Sequence, residues 1–91
     1  MDYRVEDCEI EGLLIEVEKQ PENADEIKKK TAAMFIGIRA QAGMNRKEFA
    51  EWLGIPYRTM QDWELGVSQV PDYVMRLIAY KVRMEKEMGR L

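Results

Sequence analysis

Tyr57, Arg58, Gln61 and Asp62 crowd four polar side chains into six consecutive positions near the middle of the chain. Their types suit the edges of nucleic-acid bases. A guanidinium can bond guanine O6 and N7 together, a pairing worth roughly 1–3 kcal/mol of discrimination. A carboxylate can accept from cytosine N4, and a phenol can offer its hydroxyl to phosphate or its ring to a thymine methyl. The plainer alternative is a solvated helix face. On such a face Arg58 and Asp62 form an i,i+4 ion pair worth only about 0.2–0.5 kcal/mol.

What separates these readings is the set of elements that must hold the four residues. Asn45 suits a helix N-cap, and Glu48 three places on completes a capping-box pattern. Phe49, Ala50 and Leu53 then make one apolar stripe of a short helix. Gly54 follows, the residue that most easily takes positive φ after a helix. Pro56 stands where a helix can start again, because its missing N–H is not needed in the first turn. Met60 and Trp63 face inward with Ile55, leaving Tyr57, Arg58, Gln61 and Asp62 outside. Residues 45–66 therefore read as helix, three-residue turn, helix, the layout of a DNA-reading helix-turn-helix.

The stretch from Phe35 to Val82 resembles the Xre-type, lambda-repressor-like helix-turn-helix family. The resemblance rests on Arg39, Ala50, Leu53-Gly54, Trp63-Glu64-Leu65-Gly66 and Pro71, and covers roughly half of the chain. It implies an all-α fold, a compact helical bundle, and binding to double-stranded DNA. It also implies that Tyr57, Arg58 and Asp62, with Gln61 as the weaker fourth, reach base edges in the major groove. Arg46 and Lys47 would meet phosphate at a helix N-terminus, where backbone N–H groups help to hold an anion. Family members often place Lys or Arg after the position of Gly66. Here Ser68 and Gln69 are the donors, which implies a weaker phosphate grip and a shallower salt dependence. Arg39 and Glu64 match a buried structural ion pair. Trp63 is expected in the core, and Trp52 half exposed beside its helix's stripe.

The flanking elements are expected as follows. A first long helix runs from about residue 23 or 24 to 42, capped by Asn23, with Asp25 and Glu26 in its first turn. Its inward stripe is Ile27, Thr31, Met34, Phe35 and Ile38, and Gly43 ends it. Pro71 and Asp72 start a last helix whose Val74, Leu77, Ile78 and Val82 pack inward, fraying after Glu87. Too few residues follow for the fifth helix of many family members, and an N-terminal segment is present instead.

That segment supports two patterns. Ile10, Leu13, Leu14 and Val17 form an i, i+3, i+4, i+7 helical stripe, while Leu13, Ile15 and Val17 alternate with Leu14, Glu16 and Glu18 as a strand would. Helix is favoured over 3–19, with a break at Gln20-Pro21. Seven acids against two bases give residues 1–20 a net charge of −5, while residues 21–91 carry +2. The division expected is an acidic association element over 1–22, using Ile10, Leu13, Leu14 and Val17, and a DNA-binding domain over 23–91.

Composition narrows the function further. The chain has 91 residues, no His and one Cys, so a zinc site, a His-dependent triad and an internal disulfide are excluded. No cofactor or metal is expected. Glu9, Glu11, Glu16 and Glu18 lack a pocket-forming pattern and read as a solvated face, not as the acid–base pair of an enzyme. With no long apolar run and no signal-peptide pattern, a cytoplasmic protein without membrane contact is expected. The reading is a sequence-specific transcriptional regulator, a homodimer on a two-fold related site. The alternative is an antitoxin whose N-terminal segment binds a toxin-like protein partner while its helix-turn-helix represses its own operon.

Overall fold

The computed structural model describes residues 5–18 and 27–91. Its elements run β1 (Val5–Ile10), β2 (Leu13–Glu18), α1 (Ile27–Ala42), α2 (Arg46–Leu53), α3 (Tyr57–Leu65) and α4 (Asp72–Glu87). The fold is therefore α+β, and the all-α expectation is corrected. The break at Gln20-Pro21 and the capping of α1 by Asn23 lie outside the described residues.

The N-terminal segment is a β-hairpin and not a helix. Its strands pair antiparallel, with Cys8 opposite Ile15 and Ile10 opposite Leu13. Glu11 and Gly12 make the connection with φ of 52° and 82°. Positive φ at both central residues matches the twist of the flanking strands, as in a type I′ turn. Leu13, Ile15 and Val17 are buried, and Leu14, Glu16 and Glu18 are exposed. Alternation thus decided the structure. Leu14, counted in the helical stripe, points to solvent, and Ile15, left out of it, is among the most buried side chains.

Leu13, Ile15 and Val17 enter the same core as Phe35, Ile38, Phe49, Met60 and Val82. Ile10 and Cys8 pack partly buried at its margin. The apolar residues assigned to association are thus mostly consumed within the chain, and the hairpin and helices share one core. The hairpin rests on α1 and α4, while α3 rests on α1 and α2. Gly37 permits the closest approach: a Cβ there would stand 2.6 Å from the Glu16 carbonyl oxygen.

Aromatic packing ties the helices together. The Phe35 ring lies 5.7 Å from Phe49 and 5.5 Å from Trp63, the latter edge-on. Two inward assignments fail. Ile27 is exposed at the start of α1, and Leu77 is exposed on α4, where Met75, Ile78, Ala79 and Val82 form the buried side. Among the described residues, no helix is long and apolar enough to cross a membrane.

Candidate nucleic-acid interface

The helix pair is fixed at each of its ends. Asn45 accepts the Glu48 N–H at 2.8 Å, and the Glu48 carboxylate accepts the Asn45 N–H at 3.0 Å. This reciprocal capping box satisfies two donors that the start of α2 would otherwise leave open. At the other end Gly54 takes φ 73°, and the Ile55 N–H reaches back to the Ala50 carbonyl at 2.9 Å. Gly66 ends α3 in the same manner, with the Val67 N–H on the Asp62 carbonyl at 2.9 Å.

A charged clamp sets the angle of α3. The Glu64 side chain is fully buried and accepts from Arg39 Nε at 2.7 Å, Arg39 Nη2 at 3.0 Å and Arg46 Nε at 3.1 Å. Arg39 also donates to the Met44 carbonyl at 3.1 Å. One carboxylate on α3 is thereby tied to α1 and α2, and Arg39 also grips the loop between those helices. Burial opposes the charge of Arg46, but Glu64 outweighs it and the Tyr57 hydroxyl adds to it, raising the Arg46 pKa above its ordinary value.

Arg46 is therefore not the free surface cation that its place at the start of a helix suggested. Its Nε is committed to Glu64, and its side chain is 29% exposed. Lys47, beside it, is exposed. Lys47 and Tyr57 line one open depression of about 370 Å³ with Ala50, Glu51 and Ile55. An anion seated there would meet a cation from α2 and a phenol from α3.

On α3, Tyr57 and Arg58 are exposed, and Gln61 and Asp62 are half-buried. The Arg58 side chain is 84% exposed and stands 3.6 Å from Asp62. That long surface contact leaves the guanidinium able to turn to another acceptor. The inner side of α3 carries Met60, fully buried, and Trp63, half-buried against the core. Trp52 is half-buried too, stacked on Phe49, with the Lys81 ammonium 4.7 Å from its ring centre.

Sequence reasoning missed the lysines of α1. Gly66 lies against the start of that helix: a Cβ at Gly66 would stand 3.9 Å from Lys29 Cγ and 4.0 Å from the Lys28 carbonyl oxygen. Lys28 and Lys29, both exposed, thus border Gly66, where the loop that carries Ser68 and Gln69 without a cation of its own begins. The lysines are visible in the sequence, but their neighbour is not. Ser68 is half-buried, its N–H directed to the Asp62 carbonyl at 3.3 Å, and Gln69 is exposed.

The outer face of the hairpin has the opposite sign. Asp7 and Glu16 stand directly across from each other, and Glu9 faces Leu14. Among the described residues, no three acidic or Cys side chains are grouped to hold a metal ion. Compared with family models, with curated proteins and with solved structures, the chain has no match.

Proposed function

We propose that the chain is a sequence-specific duplex DNA-binding protein of the Xre type that regulates transcription from the cytoplasm. The observation that carries the reading is the division of α3 into two sides. Its inner side is pinned through Met60, Trp63 and the triply bonded Glu64, while Tyr57 and Arg58 are presented to solvent on a rigid helix. Pre-set orientation is what base readout requires, because the donors must meet base edges without reordering. Arg58 reads guanine, with Asp62, Tyr57 and Gln61 beside it. Lys47, the remaining donors of Arg46, Ser68 and Gln69 hold phosphates, and the α1 lysines lend positive potential to the same rim. Two copies on a two-fold site would place half-sites about 34–36 Å apart. Selection from random duplexes by the purified chain, at fixed salt, tests the proposal. A recovered consensus with a two-fold repeat supports it, and unselective or absent binding at low salt refutes it.

The hairpin favours a second role alongside the first. Leu14 is 66% exposed on a face otherwise carrying Asp7, Glu9 and Glu16. Such a surface suits a basic protein partner, as an antitoxin needs. Co-expression with the product of the adjacent gene distinguishes the roles: rescue from toxicity that Leu14→Lys abolishes would establish the antitoxin.

A further inference from the structure

The hairpin leaves one strand edge open. Ile10 and Leu13 flank a two-residue turn, so they exchange both backbone hydrogen bonds of the first rung. Cys8 and Ile15 form the next such pair. The rungs between them, Glu9 with Leu14 and Asp7 with Glu16, are the non-hydrogen-bonded kind, whose N–H and C=O groups point away from the opposite strand. On β2 that outward side meets α1, where a Cβ at Gly37 would stand 2.6 Å from the Glu16 carbonyl oxygen. On β1 the outward groups of Asp7 and Glu9 meet no third strand, since the sheet of the described residues consists of β1 and β2. Cover on the inner face is uneven in the same direction. Leu13 and Ile15 are buried, whereas Cys8 and Ile10 across from them are half-buried at the margin of the core.

We propose that the free edge of β1 takes an extended, basic segment of another protein as a third strand. The proposal rests on the reading that the hairpin has a basic partner, and adds how that partner is held. Charge selects the occupant. Asp7 and Glu9 are exposed on the outer face of β1, and Asp7 opposes Glu16 in a rung of the kind that brings side chains closest. Like charges placed directly opposite are destabilising. Among the described residues, Asp7, Glu9 and Glu16 have no cation in hydrogen-bond or ion-pair contact.

An added strand answers each of these features. Its backbone pairs with the outward groups of Asp7 and Glu9. Lys or Arg on its outer face sits beside the two carboxylates and offsets their repulsion with Glu16. The residues between, turned inward, lie beside Cys8 and Ile10 and are apolar. The segment therefore alternates basic and apolar residues over about five to seven positions, the length of a common strand. Charge on an edge strand ordinarily guards against unwanted pairing. Here the acids bar a second acidic strand, β1 of another copy included, and admit a basic one.

Amide exchange followed by NMR on the full chain tests the edge, with three capped synthetic peptides of about seven residues as probes. One alternates Lys and Val. One groups the same residues into a Lys block and a Val block. The third is the alternating peptide N-methylated on the amides that would face β1. In the free chain, the amides of Asp7 and Glu9 should exchange faster than those of Cys8 and Ile10, which are bonded to β2. The alternating peptide should slow Asp7 and Glu9 selectively at about 0.02 M salt, where charges are weakly screened. The block and N-methylated peptides should bind about tenfold more weakly, the net worth of one to two hydrogen bonds. Glu9→Pro removes an outward N–H and no bond of the ladder, so it should abolish binding that Glu9→Gln retains in part. Amides of Asp7 and Glu9 already protected in the free chain overturn the proposal. So does an alternating peptide that fails to bind, or equal binding of all three peptides. A basic partner that binds the hairpin without slowing exchange at Asp7 and Glu9 overturns strand addition and leaves the basic-partner reading standing.

Discussion

Glu64 is the residue on which the geometry of α3 turns. A buried carboxylate stripped of one partner retains its desolvation penalty, so the cost of each removal depends on what remains. Arg39→Met takes away two of the three bonds to Glu64 and the bond to Met44. It should destabilise the chain by about 3 kcal/mol, the lower end for a broken buried pair, because Arg46 still offers a charge. Arg46→Met removes one bond and should cost about 1.5 kcal/mol, in line with a hydrogen bond to a charged group. Urea unfolding of the two variants checks the order; equal losses would mean that Arg46 carries as much of the clamp as Arg39. Arg58→Ala belongs to the other side of α3. Its contact with Asp62 is long and exposed, so stability should hold within about 0.5 kcal/mol. Preference for a selected duplex over a scrambled one should fall by about 1–3 kcal/mol, and equal loss on both would demote Arg58 to a phosphate contact. The Arg39–Glu64 pair was legible because each residue sits at a motif position. The third member of the clamp was not: nothing in the local sequence tells that Arg46, eighteen residues before Glu64, leans inward.

At the scale of elements, the hairpin shows why one periodicity can pass for another. Leu13 and Val17 belong both to a helical i,i+4 pair and to a strand's alternating set, so they do not discriminate. The deciding residues are Leu14 and Ile15, which swap sides between the readings. The connection Glu11-Gly12 was the better signal, since two strand-like runs separated by two residues ending in Gly favour a hairpin. The helix-turn-helix was legible because its punctuation is local: Asn45, Glu48, Gly54 and Gly66 each act within five residues of themselves. The seat of the hairpin on α1 was not, because it depends on a long-range approach at Gly37. In an isolated helix, Gly→Ala stabilises by roughly 0.8–1 kcal/mol. At Gly37 the added methyl would overlap the Glu16 carbonyl, a backbone group that cannot rotate away. Gly37→Ala should therefore destabilise by about 1–3 kcal/mol, the usual range for overpacking. A raised melting temperature would show that β2 can slide off α1 at little cost.

Across the whole molecule, charge is sorted by layer. The net −5 of residues 1–20 opposes the +2 of the remainder. The hairpin rests on α1 and α4 while α3 rests on α1 and α2, and the acidic strand β2 comes near the end of α3, where Glu18, Leu65 and Gly66 line one depression. Through-space repulsion from these acids reaches about one Debye length, roughly 10 Å at 0.1 M salt. The hairpin should therefore repel DNA phosphates at low salt and cease to do so as screening tightens. Asp7→Asn, Glu9→Gln and Glu16→Gln together should leave the fold intact, since all three side chains are exposed and Asp7 and Glu16 oppose like charges across the strands. The triple variant should bind duplex DNA several-fold more tightly than wild type at about 0.02 M salt and equally at about 0.3 M, where the Debye length has fallen to roughly 6 Å. Its sequence preference should not change, because none of the side chains proposed to read bases is touched. Binding isotherms on one selected and one scrambled duplex across that range measure both effects. A gain that persists undiminished at high salt would contradict through-space repulsion and place the hairpin in direct contact with the DNA. No gain at low salt would mean that α1 and α4 shield the outer side of α3 from the acidic layer completely.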